Sequence, residues 1–239
     1  SVARKLGGGL KIILEFLYML LAFRPVSSLK SGVVMLADSY TNNQGVYGAL
    51  EDEFQVFPNR ELFNPKKELP AYRKFRKSAP GSDQLLVSYL FGGTVIKDFR
   101  VFRAAYAELK KQLLSVNHSE KSEAAIANLL VQNQPSLYIY YARFRAFSKY
   151  FKQAEVKGVL MRDENSPQQK VIQYAARLNQ VKTFGYQHGN IYQFNPAYIY
   201  GQYKIKPLLP DLTFVWGQSS LEMLLSKGGF AESEVCVTG

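Results

Sequence analysis

The chain has 239 residues, 47% of them hydrophobic, enough for one large domain or two small ones. Its formal net charge of +11 suits an anionic partner such as a membrane surface or a nucleotide; the basic residues are scattered rather than run together, so nucleic acid ranks last. The single cysteine, Cys236, excludes an internal disulfide, and two histidines without a cysteine cluster argue against a structural zinc site.

From the N-terminus, Leu10 to Phe23 is nearly all apolar, with Lys11, Glu15, Tyr18 and Ala22 on one stripe. This predicts a helix with a narrow polar face. At about 21 Å it is shorter than a hydrocarbon core of roughly 30 Å, so it does not span a bilayer. It either packs against a core or a partner, or lies in the interface of an anionic membrane. Residues 1–30 are therefore set apart from a main domain over 31–239.

Val33 to Ala37 reads as the first strand, ending in the polar loop Asp38 to Asn43, and Phe54 to Phe57 as a candidate second. Pro58 to Pro80 is a proline-punctuated basic excursion. Gln84 to Gln134 is helical in pattern, with Phe99, Phe102, Tyr106, Leu109 and Leu113 on one face and a break at His118-Ser119. His118 reads as a loop histidine. Leu137 to Phe151 places Tyr140, Phe144, Phe147 and Phe151 at helical spacing, with Arg143, Arg145 and Lys149 between them. Such a stripe can bind single-stranded nucleic acid, but its period favours a core.

The organising stretch is Lys157 to Gly189. Gly158 to Met161 is a short strand that ends abruptly in Arg162, Asp163, Glu164 and Asn165. Ser166-Pro167 opens a helix as N-cap and first-turn proline, and Val171, Ile172, Ala175, Ala176 and Leu178 recur at helical spacing. Val181 to Tyr186 is a second strand, closed by Gln187-His188-Gly189. This is a βαβ unit, so the two strands should be parallel with a right-handed crossover. Asn190 to Pro210 is a long loop rich in Tyr, Asn, Gln and Pro, of a length that is usually functional. Leu212 to Trp216 is a further strand, Ser219-Ser220 cap a helix through Lys227, and Val235 to Val237 is the last strand. The expected fold is α/β, a Rossmann-like mostly parallel sheet flanked by helices. The chain opens at Ser1 and stops on a strand entering a glycine turn, which reads as part of a longer protein.

In such a sheet, ligands sit beyond the carboxyl ends of the strands. Four polar loops should share that rim: Asp38 to Asn43, Asp163 to Asn165, Gln187 to Gly189, and Trp216-Gly217-Gln218. Asp163, Glu164 and His188 are the groups able to take a proton from a hydroxyl. Asp38, Asn42, Gln187, Gly189 and Gln218 are the candidates for holding substrate. Gly189 either lets a ligand approach the backbone or supplies a positive-φ turn. No GxSxG, Walker loop or GxGxxG occurs to support a hydrolase, a P-loop enzyme or a dinucleotide site.

The order DENSPQQKVIQYAARLNQVKTFGYQHG, then PDLTFVWGQSSLEMLLSKGGF, then VCVTG, resembles the bacterial surface-carbohydrate glycosyltransferases of the GT-B fold. That group includes capsule and O-antigen enzymes and, more distantly, polysialyltransferases and CDP-glycerol glycerophosphotransferases. The likeness covers Gly158 to Gly239; before Gly158 it rests on strand order alone. It implies a two-domain enzyme with its site between Rossmann-like halves. This chain would be the acceptor-side half, taking a glycan or lipid-linked acceptor. The nucleotide-sugar donor would sit on a C-terminal domain beyond Gly239, leaving this chain without a cofactor of its own, without a metal and without turnover. The same resemblance makes Glu164 and His188 cleft residues, either of them the base, and puts the protein in the cytoplasm, peripheral at the inner face of the membrane. The alternatives are a CDP-glycerol-type polyol-phosphate transferase and a non-catalytic glycan-binding or assembly module of the same fold.

Overall fold

The structure, a computed structural model, describes residues 32–37, 55–58, 89, 94–115, 121–132, 134–162, 165–195, 197–199 and 208–238. The expected N-terminal helix, the loop 38–43, the basic excursion 59–80, His118, Asp163 and Glu164 lie outside those residues.

Six strands form one sheet: β1 (Val33–Ala37), β2 (Gln55–Pro58), β3 (Gly158–Met161), β4 (Lys182–Tyr186), β5 (Leu212–Val215) and β6 (Val235–Val237). Their order is β2-β1-β3-β4-β5-β6, and every neighbouring pair is parallel. The helices are α1 (Val95–Ser115), α2 (Lys121–Gln132), α3 (Gln134–Gln153), α4 (Pro167–Leu178) and α5 (Gln218–Met223), the last running into a π-helical turn at Leu224–Gly228. The fold is thus the expected α/β sheet with flanking helices. The second strand is one residue later than Phe54–Phe57, and β5 stops at Val215, leaving Trp216 outside the ladder.

From β2 the chain passes over β1 to β3, then steps the same way to β4, β5 and β6. Right-handed crossovers place all helices of such a run on one face. The strand register puts Val159, Met161, Val215 and Val235 on a common face. There α3 and α4 bury Val159 and Met161, while α5 and its π turn bury Val215 and Val235. The larger core joins Phe147, Tyr150 and Phe151 of α3 to Ile172, Ala175 and Ala176 of α4. Each large side chain buried there contributes about 1.5–3 kcal/mol.

The α4 start is as expected: Ser166 is extended and its hydroxyl accepts the Gln169 N–H at 3.4 Å, with Pro167 in the first turn. Its buried stripe is not the expected one. Leu178 is exposed, whereas Gln169 and Gln173 are buried beside Ile172, Ala175 and Ala176. Leu178 lies roughly 160° round the helix from Ala176, on the side away from the core. The α5 start also differs. Gly217, in extended backbone, is the N-cap, so Ser219 and Ser220 lie inside the first turn. Its end is as expected, with Gly229 left-handed at φ 73.

Of the aromatic stripe of α3, Phe147 and Phe151 are core, while Tyr140 and Phe144 are half-buried; Tyr150, outside the stripe, is buried, and so is Arg143. The Arg145 Nε donates to Asp98 Oδ2 of α1 at 3.1 Å, and the Tyr89 hydroxyl donates to the same carboxylate. Burial first, and then that carboxylate, push the Tyr89 hydroxyl above the usual tyrosine range. On α1 only Asp98, Phe102 and Tyr106 are buried, because this helix packs on α3 and α2 in an outer layer, so Phe99 and Leu109 keep substantial exposure.

Candidate functional site

All six strands point the same way, so their carboxyl ends line one edge. β1 is where the order turns, with β2 on one side and β3 on the other. Ligand crevices in open parallel sheets form beyond the carboxyl ends at such a reversal. Leu36 is in register with Met161, and Met161 with Gly185. The segments that begin at Asp38 and at Arg162 therefore leave adjacent strands, and the Gln187–Gly189 turn leaves the next. Asp38, Asn42, Asp163 and Glu164 themselves lie outside the described residues. Arg162 is described and half-buried at the end of β3. It puts a guanidinium, suited to an anionic group, on the rim; in the sequence it marks only where an apolar run stops.

Gln187 is the fastening of this edge. It is only 2% exposed. Its backbone N–H donates to the Phe214 carbonyl at 2.8 Å, its Oε1 accepts the Trp216 N–H at 2.9 Å, and its Nε2 donates to the Gly189 carbonyl at 2.9 Å. One amide thus ties the β4 turn to the end of β5. A neutral side chain with one donor end and one acceptor end meets both needs; a carboxylate could not donate to the carbonyl. Expected as a substrate contact, Gln187 has its side chain directed to protein groups and holds its neighbours in place.

Those neighbours face outward. His188 is exposed, and Gln218, the first residue of α5, is exposed as well. Gly189 is not left-handed, so the turn alternative for this glycine does not apply. A β-carbon built on it meets nothing within 4 Å, so the protein's own packing does not demand glycine there either. Trp216, the one tryptophan of the chain, is 51% exposed directly after β5. Tyr192 and Phe194, in the loop after the histidine turn, are exposed too. Exposed tyrosine and tryptophan side chains, apolar in body and polar at the tip, suit binding surfaces. The sequence places Trp216 on the rim but not among the substrate contacts, although a lone tryptophan at a strand end is a signal in itself.

Among the described residues no group of three or more His, Cys, Asp and Glu could hold a metal ion. Among them, too, no helix is long and apolar enough to cross a membrane. No family model, no curated protein and no solved structure matches this chain.

Proposed function

We propose that this chain is the acceptor-binding half of a glycosyltransferase that builds a bacterial surface polysaccharide. Its donor would be a nucleotide-sugar held by a further domain, and its acceptor a glycan or lipid-linked glycan. What supports the reading is the carboxyl-end edge. There the acidic segment after β3, the His188 turn after β4 and Trp216 after β5 emerge in consecutive order beside the strand-order reversal. In this reading an exposed indole stacks on a sugar face, Gly189 lets the sugar approach the backbone, and Arg162 meets an anionic group. Glu164, Asp163 or His188 takes the proton of the attacking hydroxyl. The protein would work in the cytoplasm, peripheral at the inner face of the membrane.

Trp216 makes the test direct, because all tryptophan emission from the chain comes from it. Titration with surface oligosaccharides should shift or quench that emission saturably. His188→Ala should keep the fold and weaken binding about tenfold, the loss of one good hydrogen bond. No emission change with any glycan class would remove the reading. In protein carrying both halves, Glu164→Gln or His188→Ala should lower transfer about 100-fold or more. Glycan binding without transfer would leave the non-catalytic module; transfer of a polyol phosphate would select the transferase alternative.

A further inference from the structure

The outer surface of α1 is strongly basic. Around the helix, Lys110, Arg103, Arg100, Lys111 and Lys97 fall within a sector of about 140° that contains no carboxylate. All five are exposed, and among the described residues no ion pair neutralises them. The acids of α1 lie elsewhere: Asp98 is turned inward onto Arg145, and Glu108 sits past the edge of the sector, accepting a hydrogen bond from Gln112. Along the middle of the same sector run Ile96, 66% exposed, and Leu114, 58% exposed, with Ala107 between them. These two branched aliphatic side chains stand near opposite ends of the basic face, about 27 Å apart along the helix, and leave most of their surface in water.

We propose that this face of α1 docks on an anionic lipid surface. The helix has 21 residues and lies in the outermost layer, so it can lie flat along a membrane for about 31 Å. Ile96 and Leu114 enter the headgroup region at the two ends of the helix, while the lysines and arginines between and beside them keep their charges at phosphate level and their stems toward the acyl boundary. Each cation near such a surface strengthens partitioning about fivefold. Phosphate alone does not select lipid over nucleic acid. The two exposed aliphatic side chains do, because a nucleic acid backbone has no use for Ile96 or Leu114. The inference extends the peripheral-membrane part of the proposed function to a described surface, and it does not depend on the sugar chemistry.

The test is co-sedimentation of the full chain with phosphatidylglycerol-containing vesicles and with pure phosphatidylcholine vesicles. Binding should require the anionic lipid and weaken with salt. Lys97→Glu, Arg100→Glu and Lys111→Glu together should lower partitioning about 100-fold or more. The control carries the same charge change at other exposed cations, Lys152→Glu, Arg177→Glu and Lys227→Glu, and should lose far less. Ile96→Ser with Leu114→Ser, which changes no charge, should also weaken vesicle binding. Equal losses in the two charge triples would overturn the proposal, since net charge alone would then be acting. So would unchanged vesicle binding in the α1 triple, or an α1 triple that loses only oligonucleotide binding. Trp216 titration with glycan in the same variants keeps this outcome separate from the sugar-binding one.

Discussion

The two ends of the sheet are built in opposite ways. At the amino end, the turns into β3 and β4 place Glu155 at φ 48 and Gln180 at φ 58. These are side-chain-bearing residues in the left-handed region, where glycine would be easier. The same end is closed by Asp211, whose Oδ2 accepts from the Thr183 N–H at 2.7 Å and hydroxyl at 2.8 Å. The Asp211 N–H returns a bond to the Thr183 hydroxyl at 3.0 Å. At the carboxyl end, Gly189 stands where neither φ nor packing calls for glycine, and His188 and Trp216 are left in solvent. Polar groups at the first end serve closure. At the second, the buried Gln187 amide ties the β4 turn to the end of β5, the Thr238 N–H donates to the Val215 carbonyl, and His188 and Trp216 stay exposed. That contrast separates side chains that close the fold from side chains left exposed more sharply than residue type does.

The largest stability effect should come from the amino end. Asp211→Ala leaves the N–H and hydroxyl of buried Thr183 without their acceptor and should lower unfolding free energy by about 2–3 kcal/mol in a urea titration. Glycan-dependent Trp216 emission should be untouched. A loss below about 0.5 kcal/mol would mean that the clamp contributes little and that the two ends differ less than drawn.

Gln187→Ala comes next, at about 1–2 kcal/mol, because it strands the Trp216 N–H and the Gly189 carbonyl. Unlike Asp211→Ala, it should also change Trp216 emission without ligand, since the strand end carrying the indole is released. Stability loss with identical emission would separate the fastening from the rim. Smaller again, and of opposite sign, Glu155→Gly and Gln180→Gly should each stabilise by about 0.5–1 kcal/mol, relief of left-handed strain partly offset by chain entropy. A destabilisation at either site would show that the side chain there makes a contribution of its own.

Much of this was legible in advance. The strands are short apolar runs between polar turns, so Val33–Ala37, Gly158–Met161 and Val235–Val237 were bounded to the residue. The α4 cap was legible because Ser166 and Pro167 act locally. Strand order was not, since nothing local says that β3 joins β1 on the side away from β2; that adjacency gives the rim its crevice position. Buried glutamines were missed for a related reason. Apolar periodicity cannot see Gln169 or Gln173, and it credited Leu178 instead. Gln187 looked like a ligand contact because it follows a strand, and only its three hydrogen bonds reveal a fastening. His188 follows β4 at its carboxyl end and is exposed.

Gly189→Ala should have the smallest effect on the fold and the most telling one on the site. The added methyl meets open space, and the backbone is not left-handed, so stability should stay within about 0.5 kcal/mol of the parent. Gly158 is the internal contrast: a β-carbon there would come within 2.8 Å of the Phe184 ring, and Gly158→Ala should cost about 1–3 kcal/mol. If glycine at 189 serves a ligand that lies against the backbone, the methyl occupies the ligand's space. Glycan affinity, read from Trp216, should then fall about tenfold or more, while urea titrations of Gly189→Ala and parent overlay. If affinity and stability are both unchanged, no ligand reaches this backbone, and the open carboxyl end must be used through His188 and Trp216 alone. If stability falls as it does for Gly158→Ala, the glycine is structural after all, and the contrast between the two ends of the sheet fails at its clearest residue.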